Sequence, residues 1–296
     1  MFALLWIPAT LAAATLQVAR NALQRGLMGS AGPWGATLVR FLFGLPFSLA
    51  FASAAVLLVP AARPDPSAAF WVSAMSGALA QLLATAALLV GMRRAGFAVA
   101  TALQQSSLPL SAILGLMVFH DALSPLAWAG VAIATAGLAV LTWPRNATGP
   151  QPLTGALFAL LSGLCFGFSL NAFRHAGLVL EPRHPIYSAL LSVAAAQAAQ
   201  AAVLTAVLAV RDRGALRAIV AAWRESLAAG LFGACASAGW FIAVTLAPAA
   251  PVRALGVVET PIAALAGRRL FRERLHTTQI LAGAAVLAGV VLTALR

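Results

Sequence analysis

Lysine is missing from this sequence and acids are scarce: the 296 residues hold 19 arginines, no lysine and only seven Asp or Glu. Charged residues make up 9% of the chain, against roughly 25% in a soluble domain, so water is excluded as its main solvent. Cysteine is scarce too. Cys165 and Cys235 each lie mid-run among small and apolar residues, and they read as small buried hydrophobes rather than a disulfide or metal site. The acids Asp65, Asp121, Glu181, Asp212, Glu225, Glu259 and Glu273 are scattered singly, with no HExxH, no acidic pair and no Gly-rich phosphate loop. The usual signatures of metal, acid–base and nucleotide chemistry are therefore missing, and no cofactor is expected.

What is there is apolar: 62% of the residues, in runs of about 20 that are each long enough to cross a hydrocarbon core of roughly 30 Å. In lipid every backbone amide must be satisfied within the protein, and runs without barrel-strand alternation leave α-helices as the solution. The net charge of +12 would point to nucleic acid in a soluble protein, but these arginines sit mainly at the ends of apolar runs. They read as membrane-interface anchors, so the expected partner is the lipid bilayer and not nucleic acid. The first run resembles the core of a signal peptide but lacks a basic flank, and is read as an uncleaved first helix.

Breaking the chain at Pro, Gly and Arg clusters predicts an all-α integral membrane protein of ten spans. Five lie at 2–23, 33–59, 68–92, 96–119 and 125–143; after a polar stretch at 144–152, five more lie at 153–173, 185–210, 226–246, 249–270 and 277–295. The halves, 1–148 and 149–296, resemble each other. Pro109, Phe119, Asp121 and Leu123 are matched by Pro261, Phe271, Glu273 and Leu275, every pair 152 positions apart. With one residue of slippage, Ala129-Gly130 answers Ala282-Gly283 and Ala136-Gly137 answers Ala288-Gly289. An odd number of spans per repeat forces the second to enter the membrane from the opposite side, the inverted-repeat arrangement that recurs in transporters.

Taken together, Trp6, Arg40 within ATLVRFLFGLPF, the Pro109 segment ending FHDAL and the Pro261 segment ending FRERL resemble the EamA group of the drug/metabolite transporter superfamily. The resemblance covers essentially the whole chain and places Asp121 and Glu273 where that family has an acid at the ends of spans four and nine. It implies export of amino acids, metabolites or drugs through a central cavity lined by spans of both halves. The chain departs from the family in its first span, where Trp6 is followed by Ile7-Pro8 instead of glycine, and in its short linker.

Polar residues inside spans are costly and are the first candidates for function. Glu259 is the one acid well inside a run, and Arg20, Arg40 and Arg253 lie nearer run ends. The arginines read as snorkelling or pairing groups, and Glu259 as either half of a structural ion pair or a cavity group. Arg253, six residues from Glu259, sits about 240° around an unbroken helix, so Arg40 is the expected partner. Polar stripes run through span one (Thr10, Gln17, Asn21), span three (Ser73, Gly77, Gln81, Thr85) and span four (Thr101, Gln105, Leu108, Ser111). Such stripes either line a wet cavity or join helices. The candidate cavity residues are Asn21, Gln81, Gln104, Gln105, Asn171, Trp240 and Glu259, between spans one, three, four, six, eight and nine. Trp240 and Phe241 either wall a pocket for an apolar substrate or serve as core or lipid-facing aromatics. His120, His175, His184 and His276 fall in or beside connectors and are expected to be solvated.

The sequence thus points to a transporter of small-molecule substrates, with a lipid-modifying intramembrane enzyme and a structural membrane protein as alternatives. The alanine- and arginine-rich composition without lysine suits a GC-rich bacterial genome, hence a multi-pass protein of the inner membrane. Connectors after odd spans hold twelve arginines against three after even spans, which places the odd connectors in the cytoplasm and both termini outside. The family resemblance implies cytoplasmic termini.

Overall fold

The computed structural model describes residues 4–119, 124–141 and 150–271, and scattered positions between 281 and 292. Among these described residues up to Phe271, twelve helices run in order: α1 (Trp6–Leu42), α2 (Leu45–Leu58), α3 (Ala68–Ala95), α4 (Phe97–Gln104), α5 (Ser107–Phe119), α6 (Pro125–Leu141), α7 (Pro152–Leu180), α8 (Pro185–Arg211), α9 (Arg213–Ala221), α10 (Trp223–Leu246), α11 (Ala249–Gly256) and α12 (Glu259–Phe271). No strand occurs among the described residues. Among the described residues, seven helical stretches are long and apolar enough to cross a membrane. Their outward side chains fit that solvent: Leu58 is 81% exposed, Val72 70% and Val210 85%. Most of the expected span 277–295, the linker at 144–149, and Asp121, Glu273, His120 and His276 lie outside the described residues.

The stretch Trp6–Leu58 is 53 residues long, about 80 Å if straight, far more than one bilayer crossing needs. It folds back on itself instead. Gly32 takes φ 64° and ψ 178° inside α1, a left-handed conformation that favours glycine, and Pro33 follows it. The Gln24 amide then reaches the Ala36 carbonyl at 2.6 Å, a pair that a straight helix holds roughly 18 Å apart. The break expected between the first two spans is therefore a tight helical reversal.

Two other spans are broken within themselves, at matching places. Helices α4 and α11, and likewise α5 and α12, begin and end 152 positions apart. Pro109 and Pro261 cannot donate to the carbonyls four residues back, those of Gln105 and Val257. The amides of Leu108 and Thr260 take those carbonyls instead, each at 2.8 Å, tightening the chain into one turn between two half-helices. Both prolines fall in the first turn of the second half-helix, where a missing N–H costs nothing.

The chain forms two compact units: unit 1 is Met1–Leu82 with Ser169–Ala247, and unit 2 is Leu83–Phe168 with Pro248–Arg296. The boundaries fall inside α3 and α7, and each unit draws on both sequence halves. In unit 1, Gly77 of α3 lets Phe173 and Ala172 of α7 approach closely. Phe173 also packs on Phe241 at 4.2 Å between ring centres, within a core of Ala78, Ala189, Val193 and Ala196. In unit 2, Gly91 meets Gly155 and Ala159, the same small-residue packing that closes helices in lipid. Threonines in several helices, among them Thr10, Thr37, Thr135 and Thr245, satisfy their hydroxyls on the carbonyl four residues back.

Candidate functional site

The breaks in unit 2 assemble a buried charged cluster. Arg253, in the last turn of α11, donates through Nε to Ser107 Oγ at 2.6 Å and through Nη2 to Gln105 Oε1 at 2.6 Å. Gln105 closes the α4–α5 break, and its Nε2 donates to Glu259 Oε2 at 3.2 Å. Glu259 opens α12 and meets Arg253 Nη2 at 3.4 Å. All four side chains are buried, Gln105, Ser107 and Glu259 fully so. The short bonds commit Arg253 to Gln105 and Ser107, whereas its contact with Glu259 is long for a charge-assisted bond, normally about 2.7–2.9 Å.

This pair corrects the expectation that Arg253 faces away from Glu259 and that Arg40 is the partner. The 240° separation holds for a continuous helix, and the turn at Val257 removes that premise. Arg40 belongs to unit 1, where it donates to Ser237 Oγ at 3.1 Å and lies 4.9 Å from the Phe41 ring centre.

Around the same break lie further buried polar groups. Among the described residues, both amide atoms of Gln104 and the hydroxyls of Thr101, Ser106, Ser111 and Thr260 have no hydrogen-bond partner. An unsatisfied buried group costs about 1–3 kcal/mol. Gly163 of α7 packs against it so closely that a Cβ there would strike the Gln104 carbonyl and the Ser106 hydroxyl.

Unit 1 has its own buried polar seam. Trp240 Nε1 donates to Gln17 Oε1 at 2.9 Å, and Arg20 donates to Asn21 Oδ1 through Nε at 3.1 Å and Nη2 at 2.6 Å. The stems of Arg20 and Arg40 flank Gly233 of α10. Asn171 is buried in α7. Gln81 takes a bond of 3.0 Å from Gln200, which also donates to the Ala78 carbonyl at 2.8 Å, so Gln81 joins helices. Trp240 is buried, and Phe241 is a core aromatic.

Sequence reasoning missed Gln197 and Gln200. Gln197 bonds the Arg40 and Phe41 carbonyls and accepts from Ser48 at 2.5 Å, fastening the α1–α2 junction. These glutamines are the only polar residues of an alanine-rich run and are spaced three apart on one helix face, a signal that was present. His175 also differs from expectation: α7 continues to Leu180, which places the ring inside the helix with Nδ1 2.7 Å from Ser73 Oγ. Arg174 beside it donates to the Val244 and Ala247 carbonyls, each at 2.7 Å, and caps the C-terminus of α10. Cys165 and Cys235 are free thiols, half-buried.

No family model matches the chain, and no curated protein does. A crystal structure of another protein is similar to it with a TM-score of 0.65 and 20% identity, covering 99% of this chain and 98% of that one. At that identity the likeness concerns the fold.

Proposed function

We propose that the chain is a transporter of small metabolites such as amino acids or drugs, an exporter working by alternating access. The observation that carries this reading is the Arg253–Gln105–Glu259–Ser107 network at two matched helix breaks. Each charge at a bilayer centre costs about 2.5–3.5 kcal/mol on the insertion scale, so such groups persist where they serve a pathway or a pair. Broken helices at the midplane are the means by which transporter folds expose backbone carbonyls and half-helix ends to a substrate. The 152-position identity of both half-helix pairs supports an inverted duplication of five spans each, and with it ten spans and the EamA resemblance. Within this reading Glu259, Gln104 and Gln105 face the substrate or its coupling proton, with Asn21, Asn171 and Trp240 as the remaining polar candidates.

The test is flux in vesicles of purified protein, with a panel of amino acids and cationic drugs. Net movement of at least one compound, lost in Glu259→Gln, is the expected result. A folded protein that moves none of them, while modifying added lipid, would replace this reading with the enzymatic one.

A further inference from the structure

The reversal of α1 at Gly32 leaves a groove of about 450 Å³ in unit 1. Its wall is apolar, built from Leu79 and Leu82 of α3 and Val203 and Val207 of α8, with Trp34 beside the turn. Leu79, Val203, Val207 and Trp34 are all exposed, on helices suited to lipid, so the groove opens laterally towards acyl chains. At one end stand Arg211 and Asp212. Asp212 is engaged elsewhere: its Oδ1 accepts from the Ala215 amide at 2.9 Å and caps α9. Arg211 is followed by Arg213, Arg217 and Arg224, all exposed. Helix α9 buries Ala215 and Ile219 and turns its arginines outward, the pattern of a helix lying at a membrane interface. Trp223, 52% exposed, adds an aromatic of the kind that settles at headgroup level.

We propose that this groove is a binding site for an anionic phospholipid, one acyl chain lying against Leu79, Leu82 and Val203 and the phosphate resting at Arg211. The charge decides the class of lipid. Residues 211–225 carry four arginines against two acids, and a basic residue at an anionic surface contributes about 1 kcal/mol, or about fivefold in affinity. A zwitterionic headgroup would bring its own cation to that rim, and a free phosphate would leave the apolar wall unused. The site depends on the membrane assignment and not on transport.

The test is native mass spectrometry of the full chain titrated separately with phosphatidylglycerol, with phosphatidylcholine of the same acyl chains, and with inorganic phosphate. Retention of phosphatidylglycerol over phosphatidylcholine is expected, weakened about fivefold by Arg211→Gln, abolished by Val203→Trp, and unchanged by Arg63→Gln on a different connector. Val203 is 55% exposed, so a larger side chain fills the groove without entering the core; Leu79→Trp repeats the block if that variant melts early. Equal retention of both lipids, indifference to Arg211→Gln, indifference to a folded groove-filling variant, or displacement by inorganic phosphate would each overturn the proposal.

Discussion

Glu259 and Arg253 are six positions apart in sequence, and only the turn between their half-helices lets them meet at 3.4 Å. Removing one partner of a buried pair leaves an uncompensated charge, at a cost of about 3–5 kcal/mol, whereas removing both is far milder. Arg253→Gln is therefore expected to lower the melting temperature and the folded yield more than the Arg253→Gln, Glu259→Gln double variant does. Transport separates structure from function: full flux by Glu259→Gln across the pH range would leave the carboxylate with a structural role alone. Outside the spans, Glu181 accepts the Arg63 amide at 2.6 Å and the Arg183 amide at 3.1 Å. The Arg63 amide, followed by the Arg183 amide and His184, holds its carboxyl below the ordinary glutamate range. A depressed carboxyl contributes stability above its unfolded value of about 4.3 and loses it as pH falls through the folded value. Melting curves of the protein and Glu181→Gln should differ at neutral pH and converge in acid; a gap independent of pH would remove Glu181 as the source.

At the scale of elements, the breaks at Gln105 and Val257 join a sequence feature to a site. A proline deletes one hydrogen bond, the chain tightens by a turn, and polar residues on either side are brought to one place. Gly163 of α7 secures this turn in unit 2, because a Cβ would lie 2.8 Å from the Gln104 carbonyl, an atom fixed in the backbone. Gly163→Ala is expected to destabilise the protein by about 1–3 kcal/mol through overpacking, read as an earlier thermal melt, and Gly26→Ala, with open space around it, should not. An unchanged melt for Gly163→Ala would show that α7 yields there. Most elements were legible because a run of about 20 apolar residues admits one conformation in lipid. Pro109 and Pro261 were legible as matched positions of the repeat. Their consequence was not, because the turn they produce sits four residues upstream and re-aims Arg253, which an ideal-helix projection turns away from Glu259. Gln81 was legible as part of a polar stripe that lines a cavity or joins helices, but its role in joining α3 to α8 depends on Gln200, a neighbour only in three dimensions.

At the scale of the whole chain, contacts within each unit group the connectors of the expected ten spans. In unit 1 the amides of Asp65 and Arg63, after the second span, bond Leu180 and Glu181, after the sixth. The α1 reversal, after the first span, shares its groove with Arg211 and Asp212, after the seventh. In unit 2 the Gln151 amide, after the fifth span, bonds the Arg94 carbonyl, after the third, at 3.1 Å. On the expected ten-span numbering, connectors of like parity lie together in each unit, as alternating spans require. The odd connector of unit 1 carries exposed Arg211, Arg213, Arg217 and Arg224, whereas the even ones hold Arg63 and Arg183. Arginine-rich short connectors are retained in the cytoplasm, so the side expected for α9 from charge is the cytoplasmic one, where anionic lipid also concentrates its surface charge. With Cys165 and Cys235 replaced by serine, Arg217→Cys should react with a membrane-impermeant maleimide only after cells are permeabilised, and Pro64→Cys should react in intact cells. The reverse pattern would assign the arginines to lipid anchoring and put the termini in the cytoplasm, as the family resemblance implies; labelling of both positions from outside would contradict the parity that the ten-span numbering expects.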